Sequence, residues 1–252
     1  MKYSLVNNEK VEAFKGGLGT CVLCCKETVA KCGTKNINHW AHKSTIQCDS
    51  WWENETKWHR EWKKKFPNEW QEVIHHDLKT GERHIADIKT PKGLIIELQN
   101  SPISSDELRS REMFYKNLIW IINGVPFEKD FHILNRLPDP KADLFQDIGF
   151  MYGRKDDFGR TFYRHSENNK NATMVLLHSI TEIENEINQQ YIGHHLYDWI
   201  RPRSVWQESS CRRFVDFGDN WLWEFQVYDK EGLRCVRKYD KGYFIKRANL
   251  TQ

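Results

Sequence analysis

The chain has 252 residues, of which 29% are charged and 13% aromatic, and its mean hydropathy is −0.76. These values exclude a disordered chain and are typical of one large domain, or of a core domain with smaller attachments. The formal net charge of +3 permits nucleic-acid binding without demonstrating it. No apolar run reaches membrane-spanning length and no secretory signal begins the sequence, so we expect a cytoplasmic protein with no membrane partner.

The first 48 residues hold five of the 7 cysteines. In a reducing compartment such a cluster is more often a metal site than a set of disulfides. We predict a structural Zn²⁺ site with four ligands, Cys21, Cys24, His42 and Cys48. His39 is the substitute ligand, with the capping of a turn as its alternative role, and Cys25 and Cys32 are expected to be core thiols.

The next informative stretch is a helix predicted over residues 55–66, which has an apolar stripe of two Trp and one Phe at i, i+4, i+8 spacing. Glu55, His59 and Lys63 form an adjacent stripe on the same helix. If the apolar stripe packs on a sheet, these three side chains lie close to that sheet. The alternative is a solvated row of ion pairs on the helix surface.

Two predicted strands, 82–89 and 94–101, carry the acidic residues Asp87 and Glu97. The second strand is an almost continuous apolar run, and yet Glu97 and Gln99 lie on one of its faces because side chains alternate. A buried carboxylate needs a cation, and Mg²⁺ or Mn²⁺ shared with Asp87 is the predicted one. The alternative for Asp87 is the cap of a turn.

Further helices and strands are predicted before and after these two strands in the sequence. A strand is predicted over 69–78, a helix runs from the cap Ser104 to about residue 117, and a buried strand covers 118–122. The second helix places Arg111 and Tyr115 on one stripe. The predicted order is therefore helix, three strands, helix, strand.

Six short motifs follow one another along residues 3 to 124: Cys21-x2-Cys24, His39-Trp40-Ala41-His42, Glu55-x3-His59, Arg83-x3-Asp87, Glu97-x-Gln99-x-Ser101 and Arg111-x3-Tyr115. An α-β-β-β-α-β core with an acid on its second strand and an acid-x-Lys or acid-x-Gln pair on its third resembles the PD-(D/E)XK nuclease superfamily. The joint order of the motifs more narrowly resembles the competence protein CoiA-like family. The resemblance covers about half of the chain.

The resemblance implies metal-dependent hydrolysis of DNA, with Asp87 and Glu97 as ligands of the ion and the Leu98 carbonyl as a further ligand. It implies a catalytic set of Asp87, Glu97, Gln99, Glu55 and His59. It also implies a substrate-binding set of Arg111, Tyr115, Ser101 and Lys63. Gln99 stands where the superfamily often has Lys, and an amide orients water without adding charge, so the general base is unassigned. An ion pair with Glu107 is the alternative for Arg111.

The expected fold class is α+β with an α/β core: an N-terminal zinc module over 1–50, a PD-(D/E)XK restriction-endonuclease-like core over 51–125 and a β-rich C-terminal accessory region over 126–252. In the last region, residues 141 to 175 are predicted to be rich in loops. A helix is predicted from Ile180 towards Trp199. A strand is predicted over 221–227, and the turns 229–232 and 240–242 would complete a small antiparallel sheet.

The predicted function is that of a divalent-metal-dependent deoxyribonuclease, linked to the processing of incoming DNA or to recombination. The alternatives are a catalytically inactive zinc-containing DNA-binding accessory protein and a structural partner-binding protein. DNA is the expected partner. The other partners considered are a second copy of the chain and recombination or defence proteins.

Overall fold

The computed structural model of the chain describes residues 1–34, 37–44, 48–151, 161–164, 175–177, 179–230 and 232–250. They form a mixed α+β fold that is mostly sheet. It divides into two compact units, one made of Met1–Gly124, Arg203–Asp216 and Lys241–Gln252, the other of Val125–Pro202 and Phe217–Asp240. None of the described helices is long and apolar enough to cross a membrane.

The described strands are, in chain order, β1 Tyr3–Val6, β2 Glu9–Glu12, β3 Leu18–Thr20, β4 Glu27–Lys31, β5 His39–His42, β6 Gln71–His76, β7 Arg83–Lys89, β8 Ile95–Gln99, β9 Leu118–Asn123, β10 Phe131–Arg136, β11 Ile148–Met151, β12 Thr161–Arg164, β13 Val175–Leu177, β14 His194–Trp199, β15 Arg212–Asp216, β16 Trp221–Val227 and β17 Arg234–Asp240. The described α-helices are α1 Lys57–Lys63, α2 Ser105–Tyr115, α3 Asp143–Asp147, α4 Glu184–Gln189, α5 Val205–Glu208 and α6 Lys241–Asn249. Short 3-10 helices cover Asn68–Trp70, Val125–Asp130 and Ile180–Ile183.

The first unit begins with an antiparallel sheet in the order β2-β1-β3-β4-β5. The turn between β3 and β4 contains Cys21 and Cys24, and it is closed by a hydrogen bond of 2.8 Å from the Cys21 N–H to the Lys26 carbonyl. Thr28 of β4 pairs with His42 of β5. The sheet therefore brings His42 close to the cysteine turn.

Helix α1 is shorter than predicted because a capping box at Thr56 fixes its start. The Thr56 hydroxyl accepts the His59 N–H at 3.4 Å, and the His59 ring accepts the Thr56 N–H at 3.1 Å. Two members of the predicted apolar stripe are buried, Trp62 at 2% and Phe66 at 4% exposure, whereas Trp58 is half-buried. Indole N–H groups of Trp62 and Trp58 donate to the Asp216 carboxylate at 2.7 Å and 3.0 Å.

The second sheet of this unit has the order β6-β7-β8-β9-β15. Strand β7 is antiparallel to both of its neighbours, whereas β9 is parallel to both β8 and β15. A parallel pair needs a crossover, which α2 provides between β8 and β9. The predicted cap Ser104 is confirmed, since its hydroxyl accepts the Glu107 N–H at 3.2 Å. All residues of β8 are buried, including Glu97 and Gln99.

Two segments from late in the chain complete the first unit, although they fall within the accessory region 126–252 of the sequence analysis. Asp216 at the end of β15 is 2% exposed and accepts a hydrogen bond of 2.5 Å from Lys241 of α6. Glu112 of α2 accepts the Ser210 N–H and hydroxyl at 2.9 Å and 2.7 Å. Buried carboxylates thus attach both segments.

The second unit contains an antiparallel sheet in the order β10-β14-β17-β16. A smaller antiparallel sheet, β11-β12-β13, is described by its backbone. One core cluster of this unit includes Leu137, Ile187, Leu196 and Leu233.

The segment 141–175, expected to be loop-rich, contains α3, β11 and β12, while residues 152–160 and 165–174, with its charged clusters 153–157 and 167–171, lie outside the described residues. Two other expectations for the C-terminal half are wrong. The helix expected to run towards Trp199 ends at Gln189, since β14 begins at His194. The turn expected at 240–242 is the start of α6, a helix stabilised by burial of Phe244.

Candidate functional site

The turn between β3 and β4 presents two cysteine sulfurs from a tightly wound backbone. The Leu23 N–H donates to the Cys21 sulfur at 3.4 Å, and the Cys25 N–H donates to the Cys21 carbonyl at 3.0 Å. Cys25 itself has a positive φ of 59°. This left-handed residue turns the chain back towards β4 directly after Cys24.

The ligand atoms of the predicted zinc site lie within 4.8 Å of one another: Cys21, Cys24, His42 and Cys48. The Cys21 and Cys48 sulfurs are 3.7 Å apart, and the Cys24 sulfur is 3.3 Å from His42 Nε2. A tetrahedron with Zn–S bonds of about 2.3 Å has S···S edges of about 3.8 Å. The geometry therefore suits zinc, and the predicted Cys₃His group is confirmed as a cluster able to hold it.

The surroundings of this cluster keep three of its four ligands uncharged until a cation is bound. Burial raises the pKa of the Cys21 thiol, and burial together with the neighbouring Cys21 raises that of Cys48. The pKa of Cys24 is lowered instead, because hydrogen bonds, first that from the Lys26 backbone, outweigh its burial. Burial also lowers the pKa of His42, which keeps the imidazole neutral, as a metal ligand must be. Thiols deprotonate to bind zinc, so a bound cation supplies the charge that the site needs.

The other cysteines and histidine of this module lie outside the cluster. His39, the predicted substitute ligand, is not in the group, and its Nδ1 lies 2.9 Å from the Ile37 carbonyl. Cys25 is exposed and Cys32 half-buried, so the expectation that both are core thiols is wrong.

The acidic pair Asp87 and Glu97 occupies the place where β7 and β8 stop pairing. The paired positions of these strands are Ile88 with Ile96 and Lys89 with Ile95. Beyond these positions, hydrogen bonds from backbone N–H groups to carboxylate side chains replace the backbone–backbone hydrogen bonds. The Asp87 N–H donates to Glu97 Oε1 at 3.1 Å, and the Leu98 N–H donates to Asp87 Oδ2 at 3.0 Å. These reciprocal bonds hold the two carboxyl groups next to each other.

Each member of the acidic pair has one cationic partner. Lys63 of α1 lies 2.9 Å from Asp87, and Arg111 of α2 lies 3.2 Å from Glu97. Burial and the nearby charge of Asp87 raise the pKa of Glu97 to about 8, although Arg111 opposes this shift. The two cationic side chains therefore do not fully stabilise the ionised form of both carboxyl groups.

Lys63 is a buried cation, not part of the solvated row of ion pairs considered as the alternative. It is 3% exposed, and its ammonium lies 3.2 Å from Glu55 and 3.0 Å from Glu72 as well as beside Asp87. Burial alone would lower its pKa, but these carboxylates, Asp87 first, raise it well above its usual value. The ammonium is thus held charged inside the unit.

Glu53 is a central residue that the sequence analysis missed. Its carboxylate accepts the backbone N–H groups of Asn100 and Ser101 at 3.1 Å and 3.3 Å, the Gln99 amide at 3.3 Å, and the Ser101 hydroxyl. It lies in no helix or strand and its partners are distant in sequence, so neither periodicity nor spacing marked it. The one local signal is an acid within the aromatic stretch that precedes α1.

His59 uses both ring nitrogens inside the unit. Its Nδ1 accepts the Thr56 N–H at 3.1 Å, which leaves the proton on Nε2. That N–H points to Glu53 Oε1 at 2.7 Å and also lies 3.0 Å from the Leu98 carbonyl. Since His59 is 2% exposed, this geometry makes it a link between α1 and β8.

The remaining predicted residues are buried around the acidic pair. Gln99 is 3% exposed, and its amide N–H₂ donates to the Ser101 carbonyl at 3.1 Å, whereas its Oε1 has no partner among the described residues. Arg111 also donates to the Trp51 carbonyl at 2.6 Å and to Glu107, so the ion pair considered as the alternative for Arg111 forms in addition to the pair with Glu97. Tyr115 is 3% exposed and packs against Trp51.

A small cavity of about 70 Å³ lies at the acidic pair. A buried water needs about 10–15 Å³ of such volume, so the cavity has room for an ion with a few waters and not for a nucleotide. Its lining includes Glu55, His59, Lys63, Asp87, Glu97 and Arg111. The described structure therefore brings the predicted residues of α1, β7, β8 and α2 to one place.

Comparisons of the chain with protein-family models, with curated proteins and with solved structures found no match. The function is accordingly argued from the site itself.

Proposed function

We propose that the chain is a divalent-metal-dependent deoxyribonuclease of the PD-(D/E)XK type, similar to the CoiA-like family. The observation that carries the proposal is the juxtaposition of Asp87 and Glu97 where β7 and β8 diverge. The order α1-β6-β7-β8-α2-β9 of the elements around this pair supports the proposal.

The donor set at the acidic pair suits Mg²⁺ or Mn²⁺. Protein sites for Mg²⁺ often supply one or two carboxylates and leave several positions to water, which agrees with two acids beside a small cavity. Asp87 and Glu97 would hold the ion, with the Leu98 carbonyl as a further oxygen donor. Such an ion lowers the pKa of a bound water and stabilises charge on a phosphate.

Each of the surrounding groups has a role in this proposal that follows from its contacts. Gln99 Oε1 has no partner within the part of the chain that the structure describes, so it would accept a hydrogen bond from the attacking water and orient it. Lys63 supplies the positive charge that Gln99 lacks. Arg111, His59 and Glu55 act as positioning residues, because their contacts are with protein groups and not with solvent.

Tyr115 and Ser101, predicted to bind substrate, have supporting roles in the same proposal. Tyr115 packs against Trp51, and the Ser101 hydroxyl binds Glu53. DNA would then approach the site at Asp87, whose side chain is 21% exposed, compared with 6% for Glu97.

One observation favours the inactive DNA-binding accessory protein as a second candidate. Lys63 and Arg111 already form ion pairs with Asp87 and Glu97. If these two side chains alone balance the charge of the acidic pair, the site needs no metal ion and would not hydrolyse DNA. The two candidates differ in whether added metal produces cleavage.

The test is cleavage of labelled single- and double-stranded DNA by zinc-loaded protein with and without Mg²⁺ or Mn²⁺. We expect metal-dependent cleavage that falls about a hundredfold or more in Asp87→Ala and Glu97→Ala. Asp106→Ala is the matched control, since the Asp106 side chain is 95% exposed. Absence of cleavage by the unaltered protein, or full cleavage by both site variants, would refute the nuclease; salt-dependent binding alone would then favour the accessory protein.

A further inference from the structure

A second cavity lies against the first one and is about four times larger. Its volume is about 290 Å³, compared with about 70 Å³ at the acidic pair. Pockets for small organic ligands begin at roughly 300 Å³, so only the second cavity approaches the size that such a ligand needs. Four residues line both cavities: Met1, Asp49, Trp52 and Ile85.

The walls of the second cavity are mainly aromatic and aliphatic. Trp40 is 1% exposed, and its indole N–H donates to the Val11 carbonyl at 2.9 Å, so it forms a fixed, buried part of the apolar wall. Trp52 is 42% exposed and lines both cavities. An exposed indole in the wall of an apolar pocket is a stacking surface for a planar ring.

The polar groups of the lining are His39, Ser44 and the Asp49 carboxylate, in addition to two ligands of the zinc cluster. His39 Nδ1 lies 2.9 Å from the Ile37 carbonyl, so the tautomer that donates there leaves Nε2 to accept. The Ser44 hydroxyl both donates and accepts. An apolar pocket with a few hydrogen-bonding groups at its edge matches the two faces and the polar rim of a nucleobase.

We propose that the second cavity binds one unpaired nucleobase of a DNA strand whose neighbouring phosphate lies at the acidic pair. The proposal rests on the proposed function for the position of that phosphate. The two cavities share four wall residues, so one nucleotide can place its base in the second cavity and its phosphate at the first. A base within a duplex is stacked on both faces and paired along one edge, so the preferred substrate has an unpaired nucleotide at this point.

The same geometry gives the zinc module a part in recognition. His42 and Cys48, two members of the zinc cluster, line the second cavity together with Ala41 of β5. Zinc held by these ligands would fix the position of the base-binding wall, so selection of unpaired DNA would depend on a folded zinc module.

The test measures binding and not cleavage, in buffer without added Mg²⁺ or Mn²⁺. Zinc-loaded protein is titrated, with fluorescence anisotropy, into a labelled single-stranded oligonucleotide, the same sequence as a duplex, and a strand of equal length whose sugars lack bases. We expect the single strand to bind about tenfold or more tightly than either of the others, as stacking of a base on an aromatic ring predicts. Equal binding of the strand without bases would overturn the proposal, and this comparison needs no variant.

Variants then assign the preference to the cavity. Trp52→Ala should lose about tenfold in single-strand binding while its binding of the strand without bases is unchanged, and Trp52→Phe should retain most of the affinity. Tyr243→Ala, which removes a 58% exposed aromatic outside the cavity lining, is the control. Undiminished binding by Trp52→Ala would refute the inference even if the protein cuts DNA. A base-dependent preference in a protein that cuts nothing would support the cavity and refute only the nuclease.

Discussion

The Lys63 ammonium and the Asp87 carboxylate lie 2.9 Å apart, between α1 and the end of β7. Gln99 on β8 is neutral, so the positive charge beside the acidic pair comes from a helix that precedes the strands in the chain. A buried ammonium among three carboxylates is stable only while its partners surround it. The position of α1 is therefore coupled to the electrostatics of the site.

Replacement of Lys63 by Met should destabilise the protein by about 3–5 kcal/mol, because it leaves several buried carboxylates without their cation. Lys64→Met is the matched control, since the Lys64 side chain is 63% exposed, and its effect should stay within about 0.5 kcal/mol. Urea unfolding measures both values. Equal losses for the two variants would show that the Lys63 ion pairs contribute nothing.

Glu97→Gln should change how stability depends on pH. The native pKa of Glu97 is raised from 4.5 to about 8 by burial and Asp87, so across this window the native state holds a proton that the unfolded chain has released. Stability therefore decreases as pH rises from about 4.5 to about 8, and Glu97→Gln should lose this decrease. Urea unfolding at several pH values without divalent ions measures it. Glu61→Gln, at an exposed position, should keep the slope of the unaltered protein.

Zinc removal should unfold the module that contains the cysteine turn. We expect one zinc ion per chain by elemental analysis, and loss of structure in the first sheet on chelation, because zinc binding and folding are coupled in such sites. Cys21→Ser should abolish stoichiometric zinc, whereas Cys25→Ser, at an exposed cysteine outside the cluster, should retain it. Full zinc content in Cys21→Ser would contradict the assigned ligands.

Glu53→Gln should weaken the link between the segment before α1 and the end of β8. The carboxylate accepts bonds from the backbone at Asn100 and Ser101 and from His59, and an amide N–H₂ in its place opposes some of these donors. Hydrogen bonds to a charged group contribute about 1.5–3 kcal/mol each, so a loss of about 2–3 kcal/mol is expected by urea unfolding. Glu69→Gln, at an exposed position, should be nearly neutral.

The sequence predicted those parts of the structure that depend on short-range chemistry. The Cys21-x2-Cys24 spacing indicated a chelating turn, and Ser104 indicated a helix start; both are found. The alternation of β8 predicted that Glu97 and Gln99 would be buried on an apolar strand, and this is also found. Each of these features is determined within a few residues of the chain.

The features that were not predicted depend on contacts between distant residues. Glu53 lies in no helix or strand, and it accepts hydrogen bonds from residues 46 to 48 positions later in the chain. The burial of Lys63 required knowledge of where Glu72 and Asp87 lie relative to α1. A turn was predicted at 240–242 because the sequence Asp-Lys-Gly is typical of turns. The chain instead begins helix α6 there, which the burial of Phe244 stabilises.

The Asp216 carboxylate, which accepts both indole N–H groups of α1, lies 154 residues after Trp62 in the chain. At about 5–20 residues per second, a ribosome needs roughly 8–30 s to add that stretch. During this interval α1 has emerged without the acceptor for its tryptophans. Helix α1 carries Lys63 and His59, so we expect the site to be completed late in synthesis, after β15 pairs with β9.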